Sequence, residues 1–341
     1  MTRTILIVIP TLNEARTIDG VLTALSQDLP RDAKATFVVA DGGSTDGTAD
    51  RVAAHPGVHL LHNPKRIQSA AVNLAAATLG RDADVLIRCD AHAVYPPGFV
   101  RKLVESLDRS GADAVVVPMD SVGHGCVQRA TAWVSDTPVG SGGSAHRGGR
   151  RSGFVDHGHH AAFRMASFRR AGGYDETFTH NEDAELDCRQ RALGSKIYLD
   201  ADVRLEYHPR NTLSGLWKQY AGYGRGRSRT VRRHPGSMRA RQLAVPLHVA
   251  LSGVALLLAA WLPWLMLWPA AYATVLLAVS VGLAARHRSL CGLLAGPSAF
   301  VMHTAWALGF FQGMLSLRES VWQPEKAIPL WDGAAVGASH D

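Results

Sequence analysis

The feature that most constrains this chain is a stretch of 111 residues, from Tyr207 to Leu317, without any aspartate or glutamate. Within it, residues 243–285 and 289–317 contain no lysine or arginine either. An α-helix needs about 20 apolar residues to cross a bilayer, so the first run has room for two crossings and the second for one. The sequence therefore predicts three transmembrane helices, at 244–262, 265–285 and 290–316. A buried helical hairpin of a soluble protein is the alternative, although such helices rarely lack every charge over this length.

Arginines beside these runs predict which side of the membrane each end faces. Seven lie between Arg225 and Arg241, and Arg286 and Arg288 follow the second helix. Because lysine and arginine concentrate on the cytoplasmic side, both flanks and the N-terminal domain are expected in the cytoplasm, and a third crossing would leave the C-terminus outside. The basic flank is also expected to anchor the chain on anionic membrane lipid.

The chain is thus predicted to be a multi-pass protein of the cytoplasmic (inner) membrane with four parts. These are a cytoplasmic domain at 1–206, a basic amphipathic juxtamembrane segment at 207–242, transmembrane helices at 243–317 and a C-terminal tail at 318–341.

The first 206 residues hold 25 acidic and 23 basic side chains, a balance that excludes a uniformly basic nucleic-acid-binding protein. Runs of β-branched residues that indicate buried strands alternate with helical segments. A helix is expected from Glu14 to Ala24, with Asn13 as a possible N-cap. The repeated units predict an α/β, doubly wound, Rossmann-like sheet that binds ligands beyond the carboxyl ends of its strands. The predicted strands are at 5–9, 36–40, 58–61, 85–88 and 114–117.

The cysteines show no spacing that indicates pairing, and this favours free thiols in a reducing compartment. They are Cys89, Cys126, Cys188 and Cys291.

Polar side chains follow several of the predicted strands. Pro10-Thr11-Leu12-Asn13-Glu14 ends the first, Asp41 ends the second, and Asp90-Ala91-His92 follows another. No GxGxxG or GxxxxGK[ST] motif is present, which argues against dinucleotide-binding and P-loop proteins. Side chains at i and i+2 of a strand end face the same crevice, so Asp90 and His92 are candidate ligands of a divalent metal. The histidine favours Mn²⁺ over Mg²⁺, and a surface turn is the alternative reading of the tripeptide.

Taken together, these motifs resemble the family 2 glycosyltransferases of GT-A fold over about 230 residues. Asp90-Ala91-His92 stands where that family has Asp-x-Asp, with histidine in place of the second acid. The resemblance implies that Asp41 accepts a hydrogen bond from the uracil of a UDP-sugar, although an ordinary turn with an N-cap explains Asp41 to Ser44 as well. The other nucleotide-sugar-binding residues that it implies are Pro10, Thr11, Glu14, Lys65, Arg66, Asn73 and Asp90.

The stretch from Gly172 to Arg189 is similar to the family's Gly-Gly-Phe/Tyr-Asp loop and Glu-Asp motif almost residue for residue. Glu182 and Asp183 would lie in the first turn of a helix, whose dipole keeps carboxylates ionised. The resemblance implies an inverting enzyme in which Asp183 takes the proton of the acceptor hydroxyl and Glu182 contacts the acceptor or orients the site. A helix start that merely prefers acids is the alternative. Glu185 and Arg189 are spaced for a helix-surface ion pair.

Two segments before this loop carry further candidates. The glycine-rich run 140–153 is expected to be mobile when empty, and its arginines would either close on a phosphate-bearing substrate or remain solvated; they are Arg147, Arg150 and Arg151. Asp156 to His160 looks like a metal cluster, but the Ala161-Ala162-Phe163-Arg164 that follows resembles the family's small-residue segment below the acceptor site.

Downstream, the chain departs from the processive membrane synthases of the family. They carry Gln-x-x-Arg-Trp where this sequence has Gln219 followed by Gly222-Tyr223, which argues against processive synthesis. The pattern, followed by basic residues and hydrophobic helices, resembles the succinoglycan-biosynthesis branch, the ExoA type. That branch implies an acceptor sugar on a polyprenyl diphosphate, with candidate contacts from Gln219, Tyr223, Arg225 and Arg227.

The expected function is therefore metal-dependent transfer of a hexose from a UDP-sugar to a lipid-linked saccharide in exopolysaccharide assembly. Three alternatives stay open at this point. They are transfer to a polyprenyl monophosphate, a catalytically degenerate protein that binds nucleotide-sugar or lipid, and nucleotidyl transfer, for which the Gly-rich, Lys-containing loop is missing.

Overall fold

A computed structural model describes residues 2–142 and 150–330. They form two compact units. The sheet unit contains residues 2–119, 150–206 and 322–330, and the helical unit contains residues 120–142 and 207–321. The predicted boundary after residue 206 falls on this division. Two segments lie elsewhere than expected, because 120–142 belongs to the helical unit and 322–330 belongs to the sheet unit.

The sheet unit is built on an eight-stranded mixed sheet with the order β3-β2-β1-β4-β8-β5-β9-β7. The first four of these strands are mutually parallel, while β8 runs antiparallel to both β4 and β5. The strands are β1 Arg3–Thr11, β2 Ala33–Asp41, β3 Val58–His62, β4 Val85–Arg88, β5 Ala114–Val117, β6 Met119–Ser121, β7 Gly153–Phe154, β8 His159–Arg164, β9 Ile197–Leu199 and β10 Leu205–Tyr207. The short strands β6 and β10 form a separate pair.

Burial explains why the central strands are continuous apolar runs. Ile5 to Ile9 of β1 and Val85 to Ile87 of β4 are at most 2% exposed, because helices cover both faces of the sheet. The helices of the sheet unit are α1 Ile18–Ser26, α2 Thr48–Ala53, α3 Gln68–Thr78, α4 Phe99–Ser110, α7 Met165–Arg170 and α8 Glu182–Ala192. This architecture confirms the predicted doubly wound α/β fold.

The expected helix start at Glu14 is wrong. Helix α1 begins at Ile18, and Thr17 rather than Asn13 is its N-cap residue. Asn13 instead has a left-handed φ of 60°, and its side-chain oxygen accepts a hydrogen bond from the backbone N–H of Thr45 at 2.9 Å. The segment 12–17 is therefore a loop tied to the next strand end.

The predicted surface ion pair on α8 is in fact buried. Glu185 is 0% exposed and Arg189 is 6% exposed, and the guanidinium donates to both carboxylate oxygens at 2.7–3.0 Å. Arg189 also bonds the carbonyl of Ala171 in the loop before the helix. Both side chains therefore belong to the interior, where they join α8 to that loop.

The helical unit consists of α-helices joined by short 3₁₀ turns. The α-helices are α5 Cys126–Ser135, α6 Pro138–Ser141, α9 Leu213–Arg233, α10 Ala240–Leu258, α11 Leu267–Arg286 and α12 Ala295–Ser316. The 3₁₀ segments of this unit are Pro235–Ser237, Pro263–Met266 and Leu290–Leu294, and Pro324–Lys326 lies in the sheet unit. In the described part of the chain, two stretches are long and apolar enough to span a membrane, Pro263–Arg286 and Leu290–Ser316. Gln242–Leu258, where the sequence predicts a further crossing, is a shorter apolar helix.

Glycines allow α9 and α12 to pack closely. A Cβ on Gly309 would lie 2.1 Å from the carbonyl oxygen of Ala221, and a Cβ on Gly224 would lie 2.0 Å from that of Trp306. Such small residues let two helix backbones approach each other. Helix α12 is accordingly half buried, whereas the Pro263–Arg286 stretch is mostly exposed.

The expectation of four free cysteines is wrong for two of them. Cys126 of α5 and Cys291 before α12 form a disulfide bond, with Cα atoms 4.8 Å apart. Cys89 and Cys188 are free. A separation of 165 residues carries no spacing signal, so folding alone brings the two thiols together.

Candidate active site

The turn after β2 holds Asp41, the residue predicted to contact the nucleobase. Its carboxylate accepts hydrogen bonds from the backbone N–H groups of Gly43 (2.9 Å) and Ser44 (2.8 Å) and from the hydroxyls of Thr11 (3.1 Å) and Ser44 (2.5 Å). Burial acts to raise the pKa of Asp41, but these hydrogen bonds lower it below its ordinary value. The turn thus uses four acceptor positions of the carboxylate, and a nucleobase N–H would share an oxygen with one of the two hydroxyls.

Three other predicted nucleotide-binding residues lie around this turn. Pro10 and Thr11 end β1 and pair in register with Ala40 and Asp41 of β2. Arg66 has a left-handed φ of 58°, and a Cβ on Gly42 would lie 3.3 Å from its Cα. The structure therefore brings the ends of β1 and β2 and the 65–66 segment to one edge of the sheet, as the sequence predicts.

Lys65 and Asn73 are directed to the loop that precedes α8. Lys65 makes an ion pair with Glu176. The buried Asn73 donates to the carbonyl of Tyr174 (2.8 Å) and to Glu176 (2.9 Å), and its oxygen accepts from the backbone N–H of Tyr174 (2.9 Å). These bonds engage both ends of the Asn73 amide, so Asn73 supports the loop in the structure.

Arg88 is the centre of the site, and it was not among the candidates from sequence. It lies on β4 with its side chain 4% exposed, and it donates to Asp183 at 2.5 Å and to Asp90 at 3.4 Å. Its guanidinium carbon also lies 5.8 Å from the ring centre of Tyr174, whose hydroxyl donates to the same oxygen of Asp183 at 2.9 Å. A buried charge needs paired partners, and here the two carboxylates are the predicted metal ligand and the predicted base.

Asp90 is held by groups from three elements. Its Oδ1 accepts from Gln68 (2.7 Å), and its backbone N–H donates to the hydroxyl of Tyr95 (2.6 Å). Burial acts to raise the pKa of Asp90, whereas the guanidinium of Arg88 and a hydrogen bond with His159 hold that pKa well below its ordinary value. Asp90 is therefore a fixed anion beside the base.

His159, on β8, lies between the same two carboxylates. Its Nε2 is 3.5 Å from Asp90 Oδ2, and its Nδ1 is 3.8 Å from Asp183 Oδ2. Strand β8 inserts antiparallel next to β4, and this pairing places residue 159 near the end of β4. His157, in contrast, faces Asp187 of α8 at 2.6 Å.

The predicted metal ligands differ in their surroundings. His92 is 54% exposed, and its Nδ1 lies 3.0 Å from the carboxylate of Glu14. Across residues 2–142 and 150–330, no three His, Cys, Asp or Glu side chains form a cluster that could hold a metal ion. The described side chains of Asp156–His160, which look like a metal cluster in the sequence, therefore do not form one. Asp90 and His92 still suit an ion that takes most of its ligands from phosphate and water, as Mg²⁺ does in phosphate-binding sites.

Glu182 and Asp183 open α8, as predicted, and Asn181 precedes them with a left-handed φ of 68°. Burial and the neighbouring carboxylate of Asp183 raise the pKa of Glu182, and Arg88 opposes this effect. The two adjacent acids are therefore not equivalent, because only Asp183 contacts the Arg88 guanidinium directly.

The predicted acceptor residues lie on α9, in the helical unit. Gln219 donates to the hydroxyls of Tyr207 (2.9 Å) and Tyr223 (3.0 Å). Arg225 is exposed and donates to Gln312 at 3.3 Å. Arg227 is buried and bonds Gln242 (2.8 Å) at the start of α10. Of the two arginines, Arg225 is thus the one accessible to a ligand.

The basic part of α9 is engaged by protein groups. Arg229, Arg232 and Arg233 of α9 bind protein groups, because Arg232 donates to the carbonyl of Gly313 at 2.8 Å and the other two pair with Glu319. A lipid anchor was expected here, and the structure gives these three a role within the fold. Arg147 of the glycine-rich run lies outside the described residues.

Sequence reasoning missed Arg88 and Tyr174, and it considered His159 only as part of the possible metal cluster at 156–160. One signal was present, since Arg88 is a charge inside an otherwise apolar strand two residues before Asp90. A charge at such a position indicates a buried partner. The histidine-rich run does not indicate where His159 lies, because its position beside Asp90 depends on the insertion of β8 between two strands that are distant in sequence.

Comparison with known proteins agrees with this geometry. The family described as "Glycosyl transferase family 2" matches residues 6–172. The succinoglycan biosynthesis protein ExoA of Rhizobium meliloti (strain 1021) is 45% identical over 322 residues, which cover 93% of this chain and 96% of that protein. The mannosyltransferase PcManGT from Pyrobaculum calidifontis, solved in complex with GDP-Man and Mn²⁺, has a TM-score of 0.56 at 20% identity and covers 92% of this chain and 88% of that one. At this identity the last likeness shows the fold alone.

Proposed function

The chain belongs to glycosyl transferase family 2 and to its ExoA-type branch, and from this premise we propose that it transfers a hexose from a UDP-sugar to a saccharide linked to a polyprenyl diphosphate. The product would serve exopolysaccharide assembly, as the name of the Rhizobium meliloti relative suggests. The observation that carries the proposal is the bridge that Arg88 makes between Asp183 and Asp90. This bridge holds the candidate base, Asp183, close to Asp90, the carboxylate that is proposed to bind the metal beside the diphosphate.

In the proposed reaction the acceptor hydroxyl oxygen bonds to the anomeric carbon of the donor sugar. The bond from that carbon to the diphosphate oxygen breaks, UDP leaves with the electron pair, and the configuration inverts. Asp183 takes the hydroxyl proton. Arg88 and Tyr174 both donate to one oxygen of Asp183, and these two bonds fix the orientation of the carboxylate. An ionised, oriented carboxylate is what this proton transfer requires.

A divalent metal is part of the proposal, with Asp90 and His92 as its protein ligands. Such an ion would neutralise charge on the departing diphosphate. The protein contributes a pre-ordered anion, because Gln68, Arg88 and the Asp90–Tyr95 bond fix Asp90 in place. The exposed imidazole of His92 lies 3.0 Å from the carboxylate of Glu14.

The nucleoside is proposed to lie along the edge formed by the ends of β1 and β2. Thr11 and Asp41 share a hydrogen bond there, and Arg66 lies against Gly42 of the same turn. Asp41 is proposed to accept a hydrogen bond from a ring N–H of the base on an oxygen that it already shares with other donors of the turn. Arg225 is proposed as a contact for the acceptor diphosphate because it is exposed on α9.

The test is donor consumption by the purified full-length protein in detergent. UDP-glucose, UDP-galactose and GDP-mannose are each offered with a polyprenyl-diphosphate-linked saccharide or with polyprenyl monophosphate, with Mn²⁺ or with a chelator, and nucleotide release is scored. The proposal expects UDP release that depends on the diphosphate-linked saccharide and on metal. Transfer to the monophosphate would favour the alternative acceptor, and consumption of no UDP-sugar would overturn the proposal.

An Asp183→Asn variant serves as the control for the chemistry. It should bind UDP like the parent protein but release UDP from the donor at least about 100-fold more slowly. A protein that only senses nucleotide-sugar would keep its cellular function in this variant, and that result would contradict an enzymatic role.

A further inference from the structure

We propose that α10 and α11 form a helical hairpin that is inserted into the lipid bilayer from the side of the sheet unit, and that α12 does not cross the membrane. The partner of this surface is bilayer hydrocarbon. The proposal rests on the membrane association of the proposed function and is independent of its donor, acceptor and reaction. It differs from the three crossings predicted from sequence in the place of α12 and of the C-terminal segment.

The apolar surface of the hairpin is the first observation. The turn between α10 and α11 exposes large apolar side chains, with Leu257 76% exposed, Trp261 75%, Trp264 63% and Leu267 72%. A contiguous exposed patch of this kind marks a surface that is covered by a partner or by lipid. Helices of 19 and 20 residues are about 29 and 30 Å long, close to the thickness of the hydrocarbon core. Two tryptophans at the turn suit the far interface.

The second observation places the end of α11 on the side of the sheet unit. The ring of His287 stacks on Trp133 of α5, with centroids 4.1 Å apart, and Cys291 lies against Cys126 of the same helix. Helix α5 follows β6 after four residues, 122–125, which reach about 13–14 Å when extended. Strand β6 begins at Met119, in the sheet unit. That linker is shorter than the hydrocarbon core, so α5 and the end of α11 lie on one side with the sheet unit.

The third observation concerns α12, which packs along α9. Its Gly309 and Gly313 approach Ala221 and Arg225 of α9 at backbone distance. Helix α9 carries five arginines between residues 225 and 233, and Arg232 donates to the carbonyl of Gly313. A helix with this many charges is strongly disfavoured in hydrocarbon. Helix α12 is therefore held against a charged helix, and about half of it is covered by the protein.

The fourth observation is the return of the chain to the sheet unit after α12. The backbone N–H of Leu330 donates to the carbonyl of Arg169 at 3.1 Å, and the Leu330 side chain packs on the core beneath the sheet. A Cβ on Gly173, in the loop before Tyr174, would lie 2.9 Å from Leu330 Cδ1. Residues 322–330 are thus on the side of the sheet unit, and the number of crossings between 207 and 321 is even.

The test is the location of short epitope tags in the full-length protein, read by antibody or protease access in spheroplasts and in inverted vesicles. Tags are inserted after Leu262, after Arg288, at the N-terminus and at the C-terminus. The hairpin predicts that the tag after Leu262 is opposite to the N-terminal tag and that the other two share its side. Three crossings would place the C-terminal tag on the side opposite to the N-terminal tag. Crossing by α11 and α12 alone would place the tag after Arg288 on the side opposite to the N-terminal tag. Either pattern, or a tag after Leu262 on the N-terminal side, overturns the proposal.

A pair of substitutions tests the same proposal without tags. Leu257→Arg places a charge in the hairpin, and Leu308→Arg places one at an exposed position of α12. The hairpin predicts loss of the first variant from alkali-washed membranes and retention of the second. Equal loss of both variants would show that α12 also crosses. Donor consumption by the Leu308→Arg variant reports separately on the proposed reaction.

Discussion

Arg88 donates a hydrogen bond to Asp183 at 2.5 Å, although Arg88 lies on a central strand and Asp183 opens a helix 95 residues later. The same guanidinium reaches Asp90 on its own strand end. One buried cation therefore sets the relative position of two carboxylates that come from different parts of the chain. The first two predictions follow from this arrangement.

Replacing Arg88 by methionine should lower the free energy of unfolding by about 3–5 kcal/mol, because it leaves two partly buried carboxylates without their counter-charge. Thermal or denaturant unfolding in detergent measures this change. Arg101→Met is the matched control, since Arg101 pairs with Asp28 and Glu105 at the surface and such pairs contribute less than about 1 kcal/mol. Equal losses of unfolding free energy in the two variants would show that Arg88 stabilises the fold no more than a surface arginine does.

Arg88→Lys keeps the charge but removes the two-pronged donor geometry. We expect the folded variant to lose about 100-fold in kcat, because small displacements of a catalytic group have effects of that size, while KM for the donor changes much less. A purely structural role would lower the folded fraction and leave kcat per folded molecule unchanged. Activity normalised to folded protein separates the two.

Asp183→Asn should reduce kcat by about 10²–10⁴-fold, the range for general bases, with UDP binding retained. Asp187→Asn is the comparison on the same helix. Asp187 is fully buried and faces His157, so its loss should lower thermal stability and spare kcat per folded molecule. If Asp183→Asn kept turnover, another group would have to be the base.

The pH dependence of stability should reveal the unusual state of Glu182. Its pKa is raised above the ordinary 4.5 by burial and by Asp183. A carboxyl whose pKa is higher in the folded state stabilises the fold fully below the unfolded pKa, and that contribution is lost as pH rises through the folded pKa. The melting temperature of the wild type should therefore fall relative to that of the Glu182→Gln variant as the pH rises from 5 to 8. Parallel curves for the two proteins would contradict a raised pKa.

Much of this arrangement is visible in the sequence. The apolar runs at 5–9 and 85–87 identify strands buried on both faces. The acids that follow two predicted strands, Asp41 after 36–40 and Asp90 after 85–88, predict the edge of the sheet where a ligand would bind. The loop of Gly172 to Asp175 and the Glu182-Asp183 pair can be recognised from sequence because each is a motif of consecutive or neighbouring residues.

The remainder depends on contacts between distant residues. Strand β8 pairs antiparallel with β4 and β5, and this brings His159 to Asp90, a contact that the local sequence around 156–160 does not indicate. The spacing of Glu185 and Arg189 fits a surface pair, but the packing of α8 buries it. Uncharged length likewise does not distinguish a helix in lipid from one that packs against another helix of the protein, because neither position requires charged side chains on the helix.

The close packing of α9 on α12 gives the last prediction. Gly309→Ala should destabilise the protein by about 1–3 kcal/mol, because the new Cβ would lie 2.1 Å from the carbonyl oxygen of Ala221 and force the helices apart. Gly282→Ala, on α11, has no atom within 4 Å of the new Cβ and should stabilise by up to about 1 kcal/mol through helix propensity. The melting temperatures of the two variants in one detergent measure the difference. If Gly309→Ala were as stable as Gly282→Ala, α12 would not pack on α9 at this distance.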